Sequence, residues 1–466
     1  MMEQRMINVI GFISFIILIY FSVLWASYLF LLLATYRTII KKFKESNSNN
    51  IMASLNEQPF LPITIMVPAF NEATRIENTI TSILNLEYKN VQIIIVNDGS
   101  TDTTLATLIK TYALIEIPPA FKTITETGHI RGYYVSSHLP QLTVIDKQHS
   151  PYEDCAADCL NAALNACKTP LYVTVDADTI LEKEALTRLL FRFLINPHCV
   201  AVGGTIYVPD TAQISNGQML KTNIPTNLVL GVQACEYLRS FLYGREGWSL
   251  MGGALCHPGA FTLLETQAVV DAMGYDAANF SYDAEIIMKL HHVMRDKKFP
   301  YCIAYSSSAI AWSQEPQTLE TLWQQRSRWQ RGLLRCLSRH KSMMFNPYYG
   351  VTGLIAFPFY VLFEIFGPVV EAISYLICIL ALCLHIITWV NLAWLILLAW
   401  SYMLVITLSC TILSLVTYNK YHTRWDIVHL VGLTLADMCF YRQWRAFCAL
   451  FSSLGYVANR LRGRGE

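Results

Sequence analysis

Leu171-Tyr172-Val173-Thr174-Val175-Asp176-Ala177-Asp178 is a short run of β-formers that stops on two carboxylates. The run lacks the polar alternation of a half-solvated strand, so it reads as a strand buried on both faces. The same construction occurs twice upstream. Ile63-Thr64-Ile65-Met66-Val67 stops at Pro68-Ala69-Phe70-Asn71-Glu72, and Val91-Gln92-Ile93-Ile94-Ile95-Val96 stops at Asn97-Asp98-Gly99. Between those two runs, Ala73 to Leu86 has helical spacing, with Ile76, Ile80, Ile83 and Leu84 on one side. Doubly buried strands alternating with helices predict an α/β fold with a parallel sheet covered on both faces. Such sheets bind ligands beyond the carboxyl ends of their strands. All three polar stops fall there, so fold and chemistry point to one cleft.

Composition adds a membrane. The 466 residues are 53% hydrophobic and only 15% charged, well below the roughly 25% charged content of soluble domains. Asn8 to Tyr36 contains no charged residue and exceeds the roughly 20 residues that cross a bilayer. A secretory signal has a shorter apolar core and a small-x-small cleavage site, so this span reads as an anchor. Arg37, Lys41, Lys42 and Lys44 follow it, which places the next domain in the cytoplasm by the positive-inside rule. A second apolar block runs from Val351 to Tyr418, with Glu364 and Glu371 inside it. Pro358 and Pro368 suggest that 351–366 is re-entrant or interfacial and that the spans lie near 368–387 and 392–417. Residues 427–458, broken by Asp437, Arg442 and Arg445, read as surface-lying. The division expected is 1–44 anchor, 45–58 polar linker, 59–345 cytoplasmic catalytic domain, 346–425 membrane helices, and 426–466 membrane-proximal helices with a basic tail.

The net charge of +1 gives no support for a nucleic-acid partner. The 13 cysteines include Cys155, Cys159 and Cys167, whose spacing matches no zinc pattern. Casual cysteine use of this kind suits a reducing compartment.

Two further segments follow the strand-end motifs. Ser281-Tyr282-Asp283 precedes a helical stretch, Ala284 to Leu290. Gln325-Arg326-Ser327-Arg328-Trp329 lies shortly before the apolar block, with Arg331, Arg335 and Arg339 after it. Gln325 and Arg328 are one helical turn apart and share a face. Asp176 and Asp178, two apart at a strand end, can both reach one polyphosphate-bound cation.

This order of motifs resembles the membrane-embedded family-2 glycosyltransferases, the group of cellulose, chitin, hyaluronan and poly-N-acetylglucosamine synthases. The resemblance runs from about residue 60 to the C-terminus. It implies a Rossmann-like GT-A domain that takes a sugar from a UDP-sugar donor, with Mg²⁺ or Mn²⁺, and inverts the anomeric centre. It assigns Pro68, Asn71, Glu72, Asp98 and Asp176 to the nucleotide, Asp178 to the metal and Asp283 to the catalytic base. Gln325, Arg328 and Trp329 fall to the diphosphate and acceptor. One bacterial branch also has segments like Glu236-Tyr237-Leu238-Arg239, Phe363-Glu364 and Phe440-Tyr441-Arg442-Gln443. The setting implied is a bacterial inner membrane, with the lipid bilayer and envelope-complex proteins as partners. The acceptor is either a growing β-linked polysaccharide or a lipid-linked sugar.

Two departures stand against the pattern. Tyr282 occupies a position where the family has glutamate. Ala156 stands where a phosphate-facing lysine is expected, after an apparent insertion at Pro151-Tyr152-Glu153-Asp154; Lys147 is the nearest cation to replace it. These departures leave open a catalytically weakened paralogue that scaffolds a polysaccharide-synthesis complex.

Overall fold

The computed structural model describes residues 2–46, 61–119, 123–151, 156–209, 214–220, 223–279, 281–418, 420–421 and 423–462. The expected linker lies outside these residues from position 47 on, as do Tyr152, Glu153 and Asp154.

Among the described residues, twelve strands form in chain order. They are β1 (Ile63–Ala69), β2 (Val91–Asn97), β3 (Leu114–Ile117), β4 (Ile130–Ser136), β5 (Leu142–Lys147) and β6 (Leu171–Val175). Then come β7 (Thr179–Leu181), β8 (Cys199–Tyr207), β9 (Ile214–Ser215), β10 (Gln218–Met219), β11 (Phe261–Glu265) and β12 (Cys302–Ser313). Ten of them make one sheet in the order β3-β4-β5-β2-β1-β6-β11-β8-β12-β7, with β9 and β10 apart as a hairpin.

The doubly apolar runs are its centre. β5, β2, β1 and β6 lie parallel, and every residue of β6 is buried. The flanks depart from the parallel expectation, because β4 pairs antiparallel with β5, and β11 runs antiparallel between β6 and β8. The β4–β5 connection is too short for a crossover, which requires about a dozen residues, so those strands must form a hairpin. Ile76, Ile80 and Ile83 of helix Ile76–Leu84 are buried under one sheet face, as their spacing predicts. Helices Ala156–Ala166 and Tyr282–Asp296 cover the other face.

Among the described residues, three helices are long and apolar enough to cross a membrane by length and composition: Asn8–Thr38, Thr352–Cys383 and Trp389–Leu415. The second takes in nearly all of 351–366, the segment expected to be re-entrant or interfacial; it is helical and runs on into Phe366–Cys383. Two π-turns, Thr352–Ala356 and Tyr360–Ile365, flank Phe357–Phe359. Pro358 offers no N–H and its ring crowds the carbonyl four residues back; widening the helix on either side absorbs this without breaking it.

The membrane glutamates have partners. Glu371 accepts from Arg442 Nε at 2.7 Å and from the Tyr375 hydroxyl at 2.5 Å. Glu364 accepts from the Tyr28 hydroxyl at 3.3 Å. Arg239 donates to Asp437 at 2.7 Å and to Thr407 at 3.1 Å. A buried charge is tolerated when paired in this way. The first helix closes on the later ones through Tyr20, which donates to the Leu362 carbonyl at 2.6 Å, and Tyr402, which donates to the Trp25 carbonyl at 2.6 Å.

Candidate active site

The central strands finish flush. Ala69 of β1 pairs with Asn97 of β2, and Asn97 pairs with Asp146 of β5. Residues 70–72, 98–101 and 147–150 therefore share one edge, with Pro68 just inside it opposite Val96. Asn71 takes a left-handed conformation, φ 57°, which asparagine tolerates better than most residues. Its Oδ1 accepts from the Thr101 and Asp102 amides at 2.8 and 3.2 Å, and its own amide donates to Ser100 Oγ at 3.0 Å. Asn71 thus fixes the loop that follows β2.

Asp98 is turned inward. Its side chain is 0% exposed; Oδ1 accepts from Lys147 Nζ, while Oδ2 accepts from His149 Nδ1 at 2.5 Å and the Ser150 amide at 3.3 Å. Lys147 is enclosed too, and its ammonium also meets Asp158 at 2.7 Å. The cation nearest to replacing the missing phosphate-facing lysine is therefore held between two carboxylates. The half-exposed His149 ring stacks on Phe70, centroids 4.3 Å apart. At this point the surface beside the cleft is His149 and Phe70.

Next to it the charge is acidic. Asp176 and Asp178 occupy the turn between β6 and β7, which Thr79 pins by donating to the Ala177 carbonyl at 2.7 Å. Burial, then the carboxylates of Asp176, Glu72 and Glu315, push the Asp178 carboxyl well above its ordinary range, with Arg75 opposing. Glu72 is also raised, first by burial, although Arg75 reaches it at 3.3 Å. Crowded carboxylates that resist sharing negative charge are stabilised by a cation. An all-oxygen donor set fits a hard divalent ion such as Mg²⁺ or Mn²⁺. Among the described residues no three His, Cys, Asp or Glu side chains form a complete metal cage. The arrangement therefore suits an ion that takes its remaining ligands from a phosphate.

Asp283 stands in the first turn of helix Tyr282–Asp296. Cys256 Sγ donates to its Oδ2 at 3.7 Å, and burial and the Asp283 charge push that thiol up to about 12, so it stays protonated. Arg245, at the end of the π-turn Ser240–Arg245, acts electrostatically on the same carboxylate. Tyr282 is accommodated by Gly259, where a Cβ would come 2.4 Å from the Tyr282 hydroxyl. A second close approach ties this segment to helix Leu319–Arg339. A Cβ on Gly332 would lie 2.3 Å from Ser281 Oγ, and Cys336 donates to the Ser281 carbonyl at 3.5 Å.

Helix Leu319–Arg339 carries the remaining expected residues. Gln325 Nε2 donates to Glu315 Oε2 at 3.0 Å, which joins this helix to the acidic group around Asp178. Trp329 is 40% exposed, and the Arg326 guanidinium lies 4.2 Å from its ring centroid. Sequence reasoning gave Arg326 no part, yet it is buried and donates to Glu236 at 3.0 Å. Glu236 also accepts from Arg445 at 2.6 Å and the Tyr441 hydroxyl at 2.9 Å. Burial alone would raise Glu236; the two guanidiniums and the hydroxyl outweigh it and hold the carboxyl at about 2. The segments containing Glu236 and Tyr441 were visible in the sequence, but their convergence on Arg326 was not. Glu315 had no sequence signal at all.

Comparison with known proteins agrees with this architecture. The profile described as glycosyl transferase family 2 matches residues 64–127, and that described as glycosyltransferase like family 2 matches residues 135–332. A poly-beta-1,6-N-acetyl-D-glucosamine synthase of Staphylococcus aureus is 26% identical over 322 residues, 68% of this chain and 65% of the synthase. The Staphylococcus epidermidis synthase is 26% identical over 291 residues, 62% of this chain and 59% of its own length. The chain thus matches slightly less than two thirds of these relatives. Among solved structures, a mannosyltransferase of Pyrobaculum calidifontis in complex with GDP-Man and Mn²⁺ superimposes with a TM-score of 0.50 at 15% identity. That match covers 90% of this chain and 99% of the mannosyltransferase, and it shows a shared GT-A fold.

Proposed function

Because this chain belongs to glycosyltransferase family 2, we propose that it is an inverting hexosyltransferase that uses a UDP-sugar at the cytoplasmic face of a membrane to build a β-linked polysaccharide. The observation that carries this reading is the meeting of two distant segments. The acidic strand end around Asp178 and the Gln325 helix are joined through Glu315, beside helices apolar enough to enter a bilayer.

In the proposed reaction Asp283 removes the proton from an acceptor hydroxyl. The oxygen attacks the anomeric carbon from the face opposite the nucleotide, and the bond to the diphosphate oxygen breaks, its electron pair leaving with UDP. Cys256, donating to Oδ2, orients the carboxylate. Asp178, with Asp176, would hold a divalent cation, Mg²⁺ or Mn²⁺, which would supply positive charge to neutralise the leaving diphosphate. Arg328 adds a forked contact to that diphosphate, and Gln325 and the exposed face of Trp329 receive the acceptor sugar. Pro68, Asn71, Glu72, Asp98 and Asp176 frame the nucleotide, Asp98 acting through His149. The basic residues after the first helix, Arg37 to Lys44, favour a cytoplasmic catalytic domain in a bacterial inner membrane. A lipid-linked acceptor is the alternative product route.

A second reading, a scaffold of a synthesis complex, draws on the enclosure of Lys147 between Asp98 and Asp158, which leaves no lysine at the expected phosphate position. One experiment separates the two. Membranes carrying the protein are assayed for nucleotide release across UDP-sugars with Mg²⁺ or Mn²⁺, beside Asp283→Asn. Release with one donor, lost in the variant, is expected. No release from any donor by folded, inserted protein refutes the transferase.

A further inference from the structure

Gln325 presents two chemically different ends, and the structure uses only one of them. Its Nε2 donates to Glu315 Oε2 at 3.0 Å. Its Oε1 is buried and accepts no hydrogen bond among the described residues. A buried amide oxygen without a donor is costly, about 1–3 kcal/mol in general, and such groups persist where a ligand completes them. An ionised carboxylate can only accept. Glu315 therefore decides which way the amide faces, with NH₂ toward itself and the carbonyl away. Tyr237, beside Arg326, is close enough to Glu315 to feel its charge. On its other side the Glu315 charge reaches Asp178.

We propose that Glu315 is a positioning residue for sugar transfer, fixing the Gln325 amide so that its carbonyl oxygen accepts a hydroxyl of the bound sugar. The proposal rests on the transferase reading above and adds a residue that no motif marks. Glu315 precedes Pro316, just ahead of the Thr318 hydroxyl that caps the helix by accepting from Thr321 N at 3.3 Å, so its backbone is restricted by a proline on one side and a helix cap beyond it.

The test compares Glu315→Gln, Glu315→Leu, Gln325→Leu and the Glu315→Leu/Gln325→Leu double variant for UDP release with the active donor. Glutamine at 315 still offers the Gln325 amide an acceptor oxygen, whereas leucine does not. Glu315→Leu is expected to lower kcat/KM about tenfold, the scale of one orienting hydrogen bond, and Glu315→Gln by less than about threefold. In the Gln325→Leu background, Glu315→Leu should cost nothing further, since the residue acts only through that amide. Equal losses in the glutamine and leucine variants would assign the effect to charge near Asp178 and overturn the proposal. Multiplying losses in the double variant, or full activity in Glu315→Leu, would overturn it as well. In each of these cases wild-type turnover persists and the transferase reading stands. Absence of turnover in the wild type with every donor refutes both.

Discussion

Glu236→Gln removes a carboxylate that joins three separate parts of the chain at Arg326. In the folded protein Glu236 faces Arg326, Arg445 and the Tyr441 hydroxyl within 3.0 Å. Its carboxyl sits at about 2 rather than 4.5. At about 1.4 kcal/mol per tenfold change, that drop corresponds to on the order of 3 kcal/mol of stability at neutral pH. The carboxylate is 14% exposed, so solvent screens little of it. For a domain on the order of 290 residues unfolding as one unit, 3 kcal/mol lowers Tm by roughly 5 °C. The sign with pH is fixed by the depressed value: the contribution is complete above about pH 4.5 and disappears as pH falls toward 2. Thermal unfolding of detergent-solubilised wild type and Glu236→Gln should therefore differ by several degrees at pH 7 and converge as pH approaches 2. Identical Tm values at pH 7, or a difference that persists unchanged at pH 3, would refute the reasoning.

Lys147→Met strands the enclosed carboxylates of Asp98 and Asp158 and should cost about 3–5 kcal/mol, read as lost folded protein; normal folding with only reduced donor binding would contradict the structure. Gly332→Ala forces a methyl against Ser281 and should reduce nucleotide release at least tenfold while the protein still inserts, and wild-type rates would show that the close approach is dispensable. Chelation of divalent ions should abolish release, with Mg²⁺ or Mn²⁺ restoring it. Because burial and then neighbouring carboxylates raise Asp178, the metal concentration needed should increase as pH is lowered; a requirement that stays flat with pH counts against Asp178 as the ligand.

The parts legible in the sequence were those with a period or a position. β1, β2 and β6 announced themselves as doubly apolar runs, and their polar stops landed on one edge because parallel strands in flush register end together. The antiparallel flanks were less visible: β4 and β11 owe their direction to connection length and space, which no local pattern records. A continuous helix through Pro358 was not legible in the sequence because proline usually breaks a helix, and two flanking π-turns absorb it here. Within the site, motif residues could be named, but not their rotation about the helix. Arg326, between Gln325 and Arg328, is the residue turned into the protein, and its partner Glu236 lies 90 positions away. Glu315 carried no spacing signal because its importance lies in what it faces.

The seam between the first helix and the later ones also imposes an order on assembly. Tyr20 meets a partner 342 positions downstream and Trp25 one 377 positions downstream. At about 5–20 residues per second of synthesis, the first helix waits roughly 20–70 s for those partners to emerge. Throughout that interval the sugar-transferring domain is made and can fold, while the polar groups of its membrane seam stay open. The chain thus locks last at the place it was begun, and a nascent protein stalled before residue 362 would stand on an unfastened anchor, with Glu236 still lacking Tyr441 and Arg445.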